Sequence, residues 1–262
     1  MAGWTPDRHR VRSVLQRLAS VAAALLLWAA VARFGPWPDY LLPGPVAVGR
    51  SLWEMALDGR LARGVAVSMW RLVRGYGLTL FIGVPLGVAM GRLRWVRNVM
   101  QPFVMGLQAL PSICWLPLAL LWFGLSDTAI IFVVVMGSLL GMSIAVEDGV
   151  RGVDPLLLKV SGTYGIRGAR LQLGVLLPAA LPSIVTGMKL AWSFAWRALL
   201  AGELLFVSGG LGELLTIGRE LMEIPQVMAV MVCIVLIGLA VDFLIFQPLQ
   251  LMVRRRWGIE AT

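Results

Sequence analysis

Residues 128–146 read TAIIFVVVMGSLLGMSIAV, nineteen positions without a charge, closed by Asp127 on one side and by Glu147 and Asp148 on the other. At the rise of an α-helix this run extends about 28 Å, close to the hydrocarbon thickness of a bilayer. A barrel strand crosses in about ten alternating residues, so a run of this length predicts a membrane helix.

The same reading extends outward in both directions. Uncharged or nearly uncharged runs fill 18–32, 75–91 and 98–126 on the N-terminal side, and 181–206 and 224–253 on the C-terminal side. Arginine stems can snorkel, so the first run gains about a turn at each end. The expected spans are about 14–33, 72–92, 99–124, 127–146, 181–206 and 224–253, in a single domain over 1–262. Pro102, Pro111 and Pro117 interrupt the third. The first resembles a signal peptide, with Arg8, Arg10 and Arg12 before it. No small-residue cleavage site is clear, and a retained anchor is expected.

Composition agrees. Of 262 residues, 59% are hydrophobic and 14% charged, against about 25% charged in ordinary soluble domains. Mean hydropathy is +0.83. A soluble globule cannot hide so much apolar surface, which excludes a soluble enzyme, a disordered chain and a secreted disulfide scaffold. Cys114 and Cys233 lie inside apolar runs without a CxxC pair, and read as packing residues rather than a disulfide or metal site. The lone His9 sits in a basic arm.

The chain carries 23 basic and 14 acidic residues, a net charge of +9. These charges flank apolar runs, so the positive-inside effect explains them and nucleic acid is not an expected partner. With the N-terminus inside, the inner segments hold 14 basic residues and the outer segments 7, Lys189 and Arg197 lying within the bilayer. Both termini are expected in the cytoplasm. In the first outer loop, Pro45 suits a helix start. Arg50, Glu54 and Asp58 form a polar stripe opposite Val48, Leu52, Met55 and Ala56. This predicts a short amphipathic helix over 46–58, on the membrane surface or packed on the spans.

Residues 147–178 are too polar to span and too patterned for a linker. Asp154 can cap a helix that Pro155 begins, and Gly165 after Tyr164 can stop it. Leu156, Leu157, Val160 and Tyr164 then share an arc of roughly 100°. A second helix restarts near Ile166, runs through Arg167 and Arg170 and meets Leu177-Pro178. The short helix presents its apolar face to a partner, or folds it back on the chain's own helices.

Here the residues carry a resemblance. The permeases of ATP-binding-cassette (ABC) importers have a cytoplasmic motif: Glu-Ala-Ala, three residues, Gly, nine residues, then Ile-x-Leu-Pro. This chain has Gly165 and then Val175-Leu176-Leu177-Pro178 at that offset. Lys159-Val160-Ser161 departs from the Glu-Ala-Ala part, so no role of that Glu carries over. Leu42-Pro43-Gly44-Pro45, Leu116-Pro117-Leu118, Leu121-Trp122-Phe123-Gly124, the run from Gly149 to Asp154, the run from Leu177 to Ile184 and Ala195-Trp196-Arg197 are similar to the nitrate/sulfonate/taurine/bicarbonate branch. The likeness covers about 40–258.

The resemblance implies an all-α integral membrane protein of about six transmembrane helices, with the type I ABC importer permease fold and a cytoplasmic coupling loop. It implies a non-catalytic subunit of a bacterial inner-membrane importer. The expected partners are a second permease copy (a homodimer), two ATP-binding cassette subunits carrying ATP and magnesium, an extracytoplasmic substrate-binding protein and membrane lipid. It makes Asp154, Pro155, Leu156, Leu157, Val160, Tyr164, Gly165 and Arg167 the residues that dock on the ATPase. The chain's own residues agree on one point. A phosphate-cradling GxxxxGK[ST] loop needs a Gly-Lys pair, and the only lysines follow Leu158 and Met188. No cofactor or metal is expected on this chain.

Charges at membrane depth are costly and face a partner or a cavity. Trp192, Trp196 and Arg197 cluster in the fifth span, and an aromatic-lined site with one cation suits a small anion. Gln108 and Trp115 join them as pathway candidates because the prolines of the third span free backbone groups. Glu203 is a further candidate. Alternatively Arg197 pairs with Glu203 or Asp242 as a structural contact. The expected function is import of a sulfonate, nitrate, taurine or bicarbonate type of anion. A cofactor precursor is an alternative solute, and a proton-coupled transporter with Glu203 and Asp242 as relays an alternative mechanism. An intramembrane enzyme would need a histidine in a span or a metal-ligand cluster, and the spans offer neither.

Overall fold

The computed structural model describes residues 8–36, 38, 40–205 and 209–256, with side chains from Gln16 onward except Arg17 and Leu18. His9 lies outside the described side chains. Among the described residues twelve α-helices follow in order. They are α1 (Arg8–Phe34), α2 (Pro45–Leu57), α3 (Arg60–Arg92), α4 (Arg94–Gln108), α5 (Leu116–Phe123), α6 (Asp127–Arg151), α7 (Pro155–Thr163), α8 (Gly168–Leu171), α9 (Leu177–Leu205), α10 (Leu211–Glu220), α11 (Ile224–Val241) and α12 (Gln247–Arg256). Contacts divide the chain into two units, Met1–Leu61 with Leu214–Val232, and Ala62–Glu213 with Cys233–Thr262.

Among the described residues four helices are long and apolar enough to cross a membrane: Arg60–Arg92, Asp127–Arg151, Gly168–Leu205 and Ile224–Arg256. The apolar helix Ala19–Phe34 is shorter. The third expected span is not straight. α4 and the segment Ser112–Phe123 meet at 99°, a broken span or a re-entrant loop. Pro111 is the physical reason: it disfavours helical backbone at Leu110, while Pro117 sits comfortably at the start of α5.

The long helices also start earlier than charge bracketing suggests. α3 begins at Arg60, so Arg63, Arg71 and Arg74 are helical rather than part of an outer loop. Asp58 accepts the Arg60 backbone N–H at 3.0 Å and its Nε–H at 2.6 Å. Those two bonds hold the exposed carboxyl below its ordinary range. The helix restarting at Gly168 continues into α9, so the connection between the two long helices is shorter than 147–178. Two π turns, Gln172–Leu176 and Asp242–Phe246, interrupt these helices. Each ends two residues before a proline, Pro178 or Pro248, whose ring would collide with the carbonyl four residues back in a regular helix.

Helix packing in the larger unit rests on small residues. Along α3, Gly75, Thr79, Gly83, Gly87 and Gly91 recur every fourth position and meet α6. A Cβ at Gly75, Gly83 or Gly91 would lie 2.6 Å from Val134 Cγ1, 3.2 Å from Met142 Cγ or 2.7 Å from Val150 Cγ1. At Gly87 it would strike the Ser143 carbonyl oxygen. Thr79 and Ser138 share a hydrogen bond of 2.7 Å at the centre. In lipid there is little hydrophobic drive between helices, so this close backbone approach supplies the cohesion. α6 repeats the device against α9, where a Cβ on Gly137 or Gly187 would meet Ala198 or Ala145 within 2.8 Å. Met142, Val146, Val150, Leu176, Ala180 and Ile184 fill the core beside it.

In the smaller unit, α2 matches the predicted amphipathic helix. Arg50 and Glu54 pair across one turn at 2.9 Å on the exposed side. Of the opposite face, Val48 and Met55 are buried and Ala56 is exposed.

Candidate coupling and translocation sites

The α7 segment is held by local bonds at both ends. Asp154 Oδ1 accepts the Leu156 N–H at 2.7 Å, and Pro155 opens the helix. At the other end the Ile166 N–H reaches the Ser161 carbonyl at 3.0 Å and the Gly165 N–H reaches Gly162 at 3.1 Å. This pair of bonds requires a left-handed residue between helix and exit, and Gly165 supplies it at φ 70°. Ser161 is buried, and Leu158 packs against the core of α6 and α9. The opposite face does not fold back: Leu156, Leu157, Val160 and Tyr164 are 63%, 42%, 46% and 81% exposed. Arg167 follows, extended and exposed.

The pathway candidates separate. Gln108 and Arg197 come together, lining a cavity of about 310 Å³ with Pro111, Ser112, Gly137 and Phe194. The break after α4 carries Gln108 there, and the approach of Gly137 to Ala198 holds the cavity's wall against α9. The Arg197 guanidinium stands 5.0 Å from the Phe194 ring centroid, and its Nε donates to the Ser193 carbonyl at 3.2 Å. Among the described residues no acid pairs with it.

Trp192, Trp196 and Trp115 are not in this cavity. Trp192 packs edge-on against Tyr76, with ring centroids 5.2 Å apart; Trp196 is buried; Trp115 packs on Phe132. Neighbours in sequence project about 100° apart on a helix, so the aromatic beside the cation is Phe194, three positions before it.

Glu203 is elsewhere too, and sequence reasoning missed its partner. Arg71 Nη1 lies 2.9 Å from Glu203 Oε1, with Arg71 3% and Glu203 0% exposed. Ser68 Oγ stands 2.7 and 2.9 Å from the two carboxylate oxygens, and the Gly212 N–H donates to Oε2 at 3.1 Å. Arg71 Nη2 also reaches Asp127 Oδ1 at 2.6 Å. This cluster ties α3, α6, α9 and the start of α10. Lys189 Nζ meets Asp242 Oδ1 at 2.6 Å. Both acids that a proton relay would use are therefore ion-paired.

Residues 83–257 match the family described as the inner membrane component of binding-protein-dependent transport systems. The chain belongs to that family. The permease is 30% identical over 216 residues to SsuC of Escherichia coli, named for aliphatic sulfonates transport, with 82% of each chain covered. It is 27% identical over 236 residues to the taurine transport system permease protein TauC of the same organism, covering 88% of this chain and 86% of that one. An ABC transporter permease of Methanocaldococcus jannaschii is 31% identical over 236 residues, 88% of each chain. A solved structure of the MetNI methionine ABC transporter in an inward-facing conformation shares the fold. Its TM-score is 0.63 at 20% identity, covering 76% of this permease and 97% of that chain. The permease is thus a non-catalytic, multi-pass membrane subunit of an ABC transport system, whose ATP hydrolysis belongs to a separate subunit.

Proposed function

We propose that this permease forms, with a second copy of itself, the membrane channel through which a small oxyanion of the sulfonate or taurine kind is imported. Two ATPase subunits bearing ATP and magnesium drive it from the cytoplasm, and a binding protein delivers the solute from outside. The carrying observation is Arg197: a guanidinium at membrane depth beside a cavity, paired with no acid among the described residues. An uncompensated charge there is costly unless it meets water or an anion, and the relatives named for sulfonates and taurine make an anion the natural solute. Glu203 and the three tryptophans act as packing and pairing residues around that path.

The test is uptake of labelled taurine and of an alkanesulfonate by proteoliposomes holding the full complex, with ATP sealed inside and the binding protein outside. Accumulation is expected with ATP and a binding protein, and none without nucleotide. Arg197→Met should assemble with its ATPase yet lose at least about tenfold of uptake, and Arg197→Lys should recover only part, because a point charge cannot replace the planar fork. Normal uptake by an assembled Arg197→Met complex removes the role.

The proposed topology places both termini and α7 in the cytoplasm, with α2 outside. Gly59 and Gly168 have φ of 77° and 60°, so neighbours serve better as probes. In a Cys114→Ser, Cys233→Ser background, cysteines at Ala56 and Ala169 should label from opposite sides of the membrane. Labelling of both from one side contradicts the topology.

A further inference from the structure

Polar side chains in the large unit fall into two sets. On faces that meet other helices several are satisfied from another element: Thr79 with Ser138, Tyr76 with the Met188 carbonyl at 2.9 Å, Ser68 with Glu203. One face of α9 is different. Ser183, Thr186, Leu190, Ser193 and Arg197 follow one another at three- and four-residue steps, within about 80° of arc at 100° per residue. All five are exposed in the single chain. Ser183 Oγ, Ser193 Oγ and the terminal nitrogens of Arg197 find no hydrogen-bond partner among the described residues, and Thr186 bonds only the Pro182 carbonyl of its own helix. An unsatisfied polar group facing lipid costs several kcal/mol, so this face is not built for lipid.

The stripe also joins two cavities. Its C-terminal end opens on the cavity of Arg197 and Gln108. Its N-terminal end opens on a second, of about 360 Å³, lined by Ser183, Thr186, Gly187, Leu190, Gln250 and Arg254 among others. That cavity too has a single cation, Arg254, in the last turn of α12, without an acidic partner among the described residues. Beside it, α6 and α9 are in close contact, Gly187 against Ala145 and Gly149 against Ser183.

We infer that this face of α9 is one wall of an anion route with two stations, Arg197 with Gln108 at one end and Arg254 with Ser183, Thr186 and Gln250 at the other. Hydroxyls at successive turns pass an oxyanion between two guanidiniums, each of which can take two of its oxygens in parallel hydrogen bonds. The second permease copy supplies the opposite wall. This rests on the import reading above and adds to it a second binding site and a charge preference.

The test needs no knowledge of the natural solute. In the Cys114→Ser, Cys233→Ser complex with its ATPase in membrane vesicles, single cysteines replace Ser183, Thr186 and Ser193, with Leu239 on α11 as a lipid-side control. Reaction rates are measured with anionic sulfonatoethyl and cationic trimethylammonioethyl methanethiosulfonate, each normalised to its rate with a free thiol. The three α9 cysteines should react at least about tenfold faster than Leu239→Cys, since thiolates form only where water reaches. The anionic reagent should be preferred, and Arg254→Gln should cut that preference about tenfold at Thr186→Cys while leaving it largely intact at Ser193→Cys, which Arg197→Gln should affect instead. Rates on α9 equal to the control mean the face is covered by lipid or protein, and overturn the route. Equal preference with and without both arginines overturns the stations. ATP-dependent uptake by the unsubstituted complex is read separately, so a failed route with intact uptake leaves the import reading standing.

Discussion

Glu203→Leu is expected to lower the permease's stability by about 3 kcal/mol, more than most single changes in the chain. The reason is what it leaves behind rather than what it removes. Hydrogen bonds between membrane helices are individually weak, averaging about 0.6 kcal/mol, so losing those to Ser68 and Gly212 accounts for little. The larger cost is the Arg71 guanidinium, 3% exposed, deprived of its buried carboxylate. Breaking a buried pair typically costs about 3–5 kcal/mol. The lower end applies because Asp127, half exposed, still reaches Arg71 at 2.6 Å. Heat denaturation in detergent should show the midpoint falling by about 6–12 °C. Glu203→Gln keeps one acceptor oxygen for Ser68 and Gly212 to share and should fall less. Arg71→Met with Glu203→Leu should recover part of the loss, since neither charge is then stranded. An unchanged midpoint for Glu203→Leu would mean that the pair carries no stability.

Arg71 and Glu203 lie 132 positions apart and meet only through the packing of α3 on α6 and α6 on α9. Bracketing by charge cuts a helix at its arginines, which turned Arg71 into a loop residue. The opposite signal was present: Gly75, Thr79, Gly83, Gly87 and Gly91 repeat every four residues, the spacing of a helix face built for close approach. Continued back by four, that spacing reaches Arg71. Local chemistry was legible. The Asp154-Pro155 start and the Gly165 stop of α7 each depend on residues within one turn, and the structure has the bonds they imply. Intermediate cases fell between. Prolines marked the third run as broken, but not the 99° bend that brings Gln108 to Arg197. The tryptophans near Arg197 in the chain do not line its cavity, because adjacency in sequence is not adjacency on a helix.

The largest functional effect should come from a residue that contributes almost nothing to the fold. Leu157→Asp changes a side chain 42% exposed on the outer face of α7, so the isolated permease should keep its denaturation midpoint within about 0.5 kcal/mol of stability. Four large side chains stand on that face, and full burial of one is worth about 1.5–3 kcal/mol. Seating that face in a groove of the ATPase therefore offers enough free energy to transmit a movement, and a carboxylate at its centre removes it and adds a desolvation cost. Affinity purification of the Leu157→Asp permease should recover little ATPase, or recover a complex that hydrolyses ATP without uptake. Vesicle uptake should fall by at least about tenfold, as expected for a penalty of 1.4 kcal/mol or more at one interface. Leu158→Asp makes the comparison sharp. One position on, Leu158 points into the core of α6 and α9, so that change should destabilise the permease itself and lower its yield in the membrane. Wild-type ATPase recovery together with wild-type uptake for Leu157→Asp would show that the exposed face of α7 is not where the two subunits meet.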